Sequence, residues 1–135
     1  MDLKSFSHGY GQCAFHIVLV PKYRHSIFVG AEIKRCCEEA LRETARRRGC
    51  QVHALQVGLD HVHVFVGLHL DCSVSELIRL LKCNSARRLL QEYPELKSKL
   101  WNGHLWSKGK FYRSIGQVNA ETIQRYIEQS KHRPS

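Results

Sequence analysis

Residues 60–66 have the sequence DHVHVFV, and the rest of the chain is organised around this stretch. β-Branched and aromatic residues dominate it and it contains neither Pro nor Gly, which is typical of a β-strand. Successive side chains of a strand alternate between its two faces. We therefore predict His61, His63 and Phe65 on one face. Val62, Val64 and Val66 are predicted on the other face, where they are apolar enough to lie against helices.

The two histidines of this strand are a candidate metal site. They are separated by about 6–7 Å along the backbone, given a rise of ~3.3 Å per residue, and neutral imidazole is a good ligand for divalent metals. The alternative is a pair of half-buried histidines with satisfied hydrogen bonds, and the strand alone leaves both interpretations open. Asp60 is close enough to orient one imidazole, although it is equally suited to forming the preceding turn.

Length and composition predict one domain over residues 1–135, with 43% apolar and 24% charged residues. The sequence has no apolar run long enough to span a membrane, and its N-terminus lacks the apolar core of a signal peptide. We therefore expect a cytoplasmic, nucleoid-associated protein with no membrane partner. None of the six cysteines forms a C-x-x-C pair, and we expect all of them to be reduced.

Hydrophobic periodicity predicts the order strand, helix, strand, strand, helix, strand, helix. This is the α+β, ferredoxin-like or split βαβ arrangement, in which two helices cover one face of an antiparallel sheet, with an added C-terminal helix. Ser73 and Glu76 give a capping box for the second helix, and Gly49 suits the end of the first. The predicted strands cover 13–20, 50–57, 60–66 and about 110–115, and the predicted helices cover 31–48, 74–92 and 120–131.

The formal net charge of +9 favours a polyanionic partner such as nucleic acid over a merely basic surface. Three groups of residues combine cations with aromatic side chains or form a surface of one sign, as in phosphate and base-stacking contacts. A solvated turn or surface is the alternative for each. The predicted DNA-binding residues are Lys22, Tyr23, Arg24, Lys82, Arg87, Arg88, Lys110 and Arg113.

Four further aromatic or imidazole side chains have ordinary structural interpretations. His16 interrupts the first strand, and we favour a sheet residue with satisfied hydrogen bonds over a ligand. On helical periodicity alone, Tyr126 is a packing aromatic of the last helix. Trp101 and Trp106 are either core residues or part of a nucleic-acid surface.

Four segments together resemble a known family, the single-tyrosine transposases of small insertion sequences. These are the TnpA-type members of the His-hydrophobic-His endonucleases, to which the REP-associated tyrosine transposases are related. The resemblance covers nearly the whole chain, in the order of the family. It rests on VPKYR at 20–24, LDHVHVFV at 59–66, LKCNSARR at 81–88 and QRYIEQ at 124–129.

The resemblance implies a mechanism and a set of partners. His61 and His63 would hold a divalent cation, Mg²⁺ with Mn²⁺ as a usable substitute, that polarises the scissile phosphate. Tyr126 would attack phosphorus and leave a 5′-phosphotyrosine and a free 3′-hydroxyl, whose reversal by another 3′-hydroxyl transfers the strand. It also implies a homodimer that acts on single-stranded DNA with hairpins near the element ends. The tyrosine of one subunit can work with the histidines of either.

The chain departs from the family at the third metal ligand. Relatives usually have Gln four residues after the tyrosine, whereas here Ser130 occupies that position and Gln129 precedes it. Both lie on the same half of the helix as Tyr126, at roughly 40° and 60° from it. We predict Gln129 as the third ligand because its carbonyl oxygen can reach a hard cation. A water-mediated Ser130 is the second option, and water alone is the third.

Two other function classes compete with the transposase. One is a non-catalytic, ferredoxin-like nucleic-acid-binding domain, a domesticated relative whose chemistry has been lost. The other is a metal-dependent hydrolase that uses the His pair and a water nucleophile, without need of Tyr126. The sequence lacks the additional Asp and His ligands such a hydrolase would require.

Overall fold

The structure is a computed structural model that describes residues 13–69, 71–100, 104–117 and 120–131. Its strands are β1 (Cys13–Leu19), β2 (Gln51–Val57), β3 (Val62–Gly67) and β4 (Phe111–Gln117), and its helices are α1 (Ala31–Arg47), α2 (Val74–Glu92) and α3 (Ala120–Lys131). Short 3₁₀ turns cover Lys22–Arg24 and Pro94–Lys99. The predicted elements are therefore present in the predicted order. The N-terminal segment and Trp101 lie outside the described residues.

The four strands form one sheet in the order β2-β3-β1-β4, and each neighbouring pair is antiparallel. The α+β, ferredoxin-like prediction is thus confirmed. β3 begins at Val62 rather than at residue 60, because the backbone of Gly58 donates a hydrogen bond to the carbonyl of His61 and keeps that residue in the turn. The central strands are β1 and β3, and both carry the residues of interest below.

We call the side of the sheet that α1 and α2 cover the helix face. The valines of β3 lie there in the main core, as predicted, at 0–1% exposure. Ile17 of β1, Leu41 of α1 and Leu81 of α2 are fully buried in the same core. Burying a side chain of this size stabilises the fold by about 1.5–3 kcal/mol, so this face contains most of the apolar stabilisation.

The ends of the two large helices follow the signals in the sequence. Ser73 caps α2 by accepting a hydrogen bond from the backbone N–H of Glu76 at 3.1 Å. Gly49 follows α1 with a φ of +73°, a left-handed conformation that glycine adopts without strain. Ser73 therefore marks the start of α2, Gly49 marks the end of α1 before β2, and both leave fewer backbone groups unpaired.

The segment before β4 is attached to α2 by polar contacts. The buried Ser85 hydroxyl accepts a hydrogen bond from the indole N–H of Trp106 at 2.9 Å and donates to the carbonyl of Leu81. Trp106 is 6% exposed, so it is a core residue rather than part of a nucleic-acid surface. In turn, Lys22 donates from its backbone to the carbonyl of Leu105 at 2.9 Å, which fixes the start of the basic loop.

All six cysteines are free, and Cys36, Cys37, Cys50 and Cys72 are buried while Cys13 and Cys83 are exposed. Within the described residues, no helix combines the length and apolar character needed to cross a membrane.

Candidate active site on the histidine face

The opposite side of the sheet is named the histidine face, after His16 and His63, which point to it together with Phe65. The alternation of β1 and β3 places these side chains there, because their sequence neighbours fill the helix face. The helix α3 packs on this side, where Ile127 forms a buried cluster with Ala14 and Phe65. Tyr126 is packed against that cluster, so α3 brings the tyrosine over the middle of the sheet.

Tyr126 and the two imidazoles are joined by hydrogen bonds within one chain. The hydroxyl oxygen of Tyr126 lies 3.2 Å from Nδ1 of His16, and Nε2 of His16 lies 2.8 Å from Nδ1 of His63. His16 is also stacked on Phe65, with ring centroids 4.3 Å apart and planes 14° from parallel. The stacked ring has little freedom to rotate, so His16 has one orientation with a nitrogen toward each partner.

His61 is held by a second set of contacts at the end of the β2–β3 turn. Its Nδ1 lies 2.9 Å from Oδ1 of Asp60, and Oδ2 of Asp60 lies 3.4 Å from a guanidinium nitrogen of Arg24. The hydrogen bond from His61, followed by the charge of Arg24, lowers the pKa of Asp60 despite some desolvation. The ionised carboxylate therefore favours the His61 tautomer with its proton on Nδ1, which is the orienting role predicted for Asp60.

The remaining nitrogens of His61 and His63 suit a shared cation. In both rings Nδ1 is occupied by a hydrogen-bond partner, which leaves Nε2 as the available ligand atom. The centroids of the two rings are 4.9 Å apart. Position 58 is a glycine, and a Cβ there would lie only 3.2–3.3 Å from Cε1 and Nε2 of His61. Burial, and then the neighbouring His61, lowers the pKa of His63, so its ring is in the neutral form that binds metals.

The donor set of this pair is small. Among the described residues, no three His, Cys, Asp or Glu side chains form a group that could hold a metal ion. A cation there would complete its shell with water or DNA oxygens, as Mg²⁺ commonly does. Gln129 has an exposed side chain on α3, and the side chain of Ser130 lies outside the described residues. Both remain predictions as third ligands.

The basic loop after β1 lies beside this site and has an unusual backbone. Tyr23 and Arg24 both have positive φ, at 60° and 54°, a conformation that costs about 1–3 kcal/mol for a residue with a side chain. Tyr23 is 69% exposed, and the ammonium of Lys22 lies 5.4 Å from the centre of its ring. The loop therefore presents an aromatic ring and two cations to solvent next to Asp60 and His61.

The other predicted DNA-binding residues lie in two places. Arg113 pairs with His16 across the β1–β4 ladder and is exposed, so it lies on the histidine face, and exposed Lys110 precedes the same strand. On α2, Arg87 donates to Asn84 at 2.6 Å, and Arg88 forms ion pairs with Glu39 and Glu92. Lys82 donates to the carbonyls of Ser107 and Gly109, both at 2.8 Å, so much of its hydrogen-bonding capacity is used inside the protein.

His16 is the site residue that sequence reasoning missed. The interpretation as a sheet residue with satisfied hydrogen bonds is right about the bonds, yet the partners are Tyr126 and His63. Burial, and then His63 and Arg113, lowers its pKa to about 4, so the ring is neutral at pH 7. One signal was available in the sequence: by alternation, His16 is on the opposite face of β1 from Ile17, the face away from the core. Its partners depend on strand pairing, which is not local.

Comparisons with known proteins identify the family of this chain. The family model described as "Transposase IS200 like" matches residues 10–130. The ISDra2 transposase TnpA of Deinococcus radiodurans is 35% identical over 121 residues, which cover 90% of this chain and 85% of that protein. The transposase for insertion sequence element IS200 of Salmonella typhimurium is 32% identical over 127 residues, or 94% and 82% of the two chains.

Two solved structures share the fold. A crystal structure of a candidate transposase from Deinococcus radiodurans R1 superposes with a TM-score of 0.71 at 30% identity, covering 87% of this chain and 90% of that one. A REP-associated tyrosine transposase bound to a REP hairpin has a TM-score of 0.57 at 18% identity, covering 93% and 70%. The family model spans most of the chain and the relatives exceed 30% identity. The chain therefore belongs to the IS200-like transposase family and is a DNA transposase.

Proposed function

We propose that this transposase cleaves and rejoins single-stranded DNA at insertion-sequence ends through a 5′-phosphotyrosine on Tyr126, assisted by a divalent cation. The observation that carries the proposal is the chain of hydrogen bonds from the hydroxyl of Tyr126 through His16 to His63. A tyrosine with only a packing role needs no hydrogen bond to a chain of two histidines. The hydroxyl of Tyr126 lies among side chains suited to phosphoryl transfer.

In the proposed reaction, the oxygen of Tyr126 forms a bond to phosphorus and the bond from phosphorus to the 3′ oxygen breaks. The tyrosine proton leaves to solvent, and the departing 3′ oxygen takes one up. The phosphotyrosine conserves the energy of the phosphodiester, so attack by another 3′-hydroxyl restores a DNA strand and the free tyrosine without ATP. The neutral imidazole of His16 beside the hydroxyl stabilises charge on the tyrosine oxygen by hydrogen bonding.

His61 and His63 are the residues that would hold the cation, through the Nε2 atoms that their other contacts leave available. When bound, Mg²⁺ or Mn²⁺ supplies positive charge to the nonbridging oxygens of the scissile phosphate. The protein's own contribution is orientation: Asp60 fixes the ring of His61, and His16 fixes the ring of His63. Imidazole alone would favour softer metals such as Zn²⁺, so the choice of Mg²⁺ rests on the family.

The DNA strand would cross the histidine face between two groups of cations. Arg113 lies beside His16 on one side, and Arg24 lies beside Asp60 on the other. The exposed ring of Tyr23 offers a stacking surface for an unpaired base. Recognition of a hairpin near the element end is supported by the related REP-associated transposase, whose structure contains a REP hairpin.

Replacing Tyr126 by Phe tests the function, because it removes the attacking oxygen and keeps the ring. Single-stranded DNA from the element end, labelled on the side 3′ to the cleavage site, is incubated with protein and Mg²⁺ and separated on a denaturing gel. We expect wild type to form a covalent protein–DNA species and the Phe variant to form none while still binding the hairpin. Tyr112→Phe, in an exposed tyrosine of β4, is the matched control and should react as wild type.

The same gel separates the two competing functions. If wild type binds the DNA but forms neither product nor adduct, the chain is a non-catalytic binding domain. Cleavage without an adduct, unaffected by Tyr126→Phe, would instead indicate a hydrolase with a water nucleophile. An adduct that persists in the Phe variant would show that another residue is the nucleophile.

We also propose that the protein acts as a homodimer. This rests on the family, and on β4 being an edge of the described sheet with exposed Phe111 and Tyr112, which is the kind of edge that a second chain extends. Sedimentation with and without DNA should give the mass of two chains, and a monomer in both conditions would contradict the proposal.

A mixed dimer tests whether the tyrosine works with the histidines of its own subunit or with those of its partner. It is made by mixing a subunit lacking both His61 and His63 with a Tyr126→Phe subunit. Adducts form only if the tyrosine acts on its partner's histidines.

A further inference from the structure

His16 is hydrogen-bonded to both the candidate nucleophile and a candidate metal ligand, which no other side chain of the described residues is. One ring nitrogen lies 3.2 Å from the hydroxyl of Tyr126 and the other lies 2.8 Å from His63. The ring is stacked on Phe65 at 4.3 Å, and it pairs across the ladder with that residue and with Arg113. A histidine that served only the sheet would not require both nitrogens to face the site.

The hydrogen-bond rules of imidazole restrict this chain to two arrangements. A neutral ring has one N–H donor and one acceptor nitrogen, so a single proton lies between His16 and His63. In the first arrangement Nε2 of His16 donates to His63, and Tyr126 donates its proton to Nδ1 of His16. His63 then has its own proton on Nε2, the atom that a cation would need.

In the second arrangement every donor is reversed. Nδ1 of His63 donates to Nε2 of His16, which forces the proton of His16 onto Nδ1, where it donates to the oxygen of Tyr126. Nε2 of His63 is now an unprotonated ligand atom, and the phenolic oxygen of Tyr126 accepts a hydrogen bond. Each ring still has one proton, so the two arrangements differ in direction and not in charge.

We propose that His16 is a positioning residue that links the metal ligand to the nucleophile: the second arrangement alone makes His63 a ligand, and it alone directs an N–H to the oxygen of Tyr126. The inference rests on the proposed function and extends it. Binding of a divalent cation through His63 and preparation of Tyr126 for attack are therefore two results of one choice of tautomer. Without His16, neither the ring of His63 nor the tyrosine oxygen has this partner.

Nitrogen-15 NMR of the histidine rings tests the link without requiring activity. In protein saturated with Mg²⁺, we expect both His16 and His63 to have their proton on Nδ1, with Tyr126→Phe leaving the His63 tautomer unchanged. His16→Phe, which keeps a ring for the stack on Phe65, identifies the His16 signals. The inference is overturned if His16 in the Mg²⁺-saturated protein has its proton on Nε2.

Variants that preserve one nitrogen position separate positioning from a merely structural role. His16→Phe should weaken Mg²⁺ binding by calorimetry and slow adduct formation, each by about 10–100-fold, the usual effect of losing the partner of a ligating histidine. His16→Gln places an amide near the Nε2 position and should recover Mg²⁺ affinity but not the rate. His16→Asn places one near Nδ1 and should recover part of the rate at saturating Mg²⁺ but not the affinity.

Controls distinguish failure of this inference from failure of the proposed function. His53→Phe changes another half-buried histidine of the sheet, on β2, and should alter neither Mg²⁺ affinity nor rate. If Tyr126→Phe abolishes the adduct while His16→Phe has wild-type rate and Mg²⁺ affinity, only the role of His16 is wrong. If wild type never forms an adduct, the proposed function is wrong. The tautomers of His16 and His63 measured by NMR then still show whether His16 links His63 to Tyr126. Equal losses in all three His16 variants that follow their melting temperatures would indicate a structural role alone.

Discussion

The two faces of the sheet are built from the same strands and serve different purposes. On the helix face, Ile17 and Val64 are fully buried under α1 and α2, in a core made mainly of apolar side chains. Their sequence neighbours His16 and His63 lie on the histidine face, where they are hydrogen-bonded to one another and partly accessible. A single step in sequence therefore separates a residue that stabilises the fold from one that belongs to the site.

This difference shows how a small sheet supports chemistry without losing stability. The apolar burial is concentrated on one face, so the other can hold neutral imidazoles, an arginine and a tyrosine with only a small cluster around Ile127. The cost of burying polar rings is limited because each has a hydrogen-bond partner. Substitutions should accordingly divide into those that change stability and those that change activity, according to the face.

The largest expected effect comes from the histidine pair. His61→Ala and His63→Ala should each lower the rate of adduct formation by orders of magnitude and weaken Mg²⁺ binding, since each removes one of the two candidate histidine ligands. The melting temperature should change little, because neither ring belongs to the main core. Adduct formation and calorimetric Mg²⁺ titration measure both effects, and full activity in excess chelator would contradict the metal role.

The next effect concerns the helix face and has the opposite signature. Ile17→Ala should lower the free energy of unfolding by about 2–5 kcal/mol, because it leaves a cavity in a fully buried site. Adduct formation per folded molecule should remain near wild type at low temperature. Urea denaturation measures the stability, and Val29→Ala, at an exposed side chain, is the control that should cost little. A large loss of activity without a loss of stability would break the division between the faces.

The third metal ligand is a finer test of the histidine face. Gln129→Ala should raise the Mg²⁺ concentration needed for half-maximal cleavage markedly, whereas Ser130→Ala should not, because the longer amide carries the carbonyl oxygen toward the site. Cleavage measured across a Mg²⁺ titration decides between them. The reverse pattern would restore the register usual in the family, and two unchanged titrations would leave the histidines as the only protein ligands.

The smallest expected effect is on the salt dependence of DNA binding. Replacing Arg87 and Arg88 by Gln should flatten the slope of log affinity against log salt, by roughly 0.7 for each phosphate that is no longer neutralised. Because Arg88 already pairs with Glu39 and Glu92, its contribution should be smaller than that of Arg87. Replacing Arg46 and Arg47, which pair with Glu43 at the end of α1, is the control. An unchanged slope in the first variant would place the DNA contact elsewhere, such as at Arg24 and Arg113.

The sequence by itself determined the features that depend on local order. The alternation of the 60–66 stretch correctly assigned the valines to a core and His63 and Phe65 to the other face, although His61 lies in the turn before the strand. The capping signals at Ser73 and Gly49 marked helix ends correctly. These inferences succeed because strand alternation and helix capping involve residues within a few positions of one another. The order of elements was enough to predict the antiparallel, ferredoxin-like sheet.

Only the tertiary structure decided which side chains meet. Tyr126 and His16 are 110 positions apart, and their contact requires both the β1–β3 pairing and the packing of α3 on the sheet. The partners of Lys82 were also decided by the fold. The sequence pattern predicted Lys82 on a DNA-binding helix surface, whereas in the structure its ammonium donates to the carbonyls of Ser107 and Gly109. Local patterns fix the face on which a residue lies. Its partners depend on distant segments, and therefore on the packed structure.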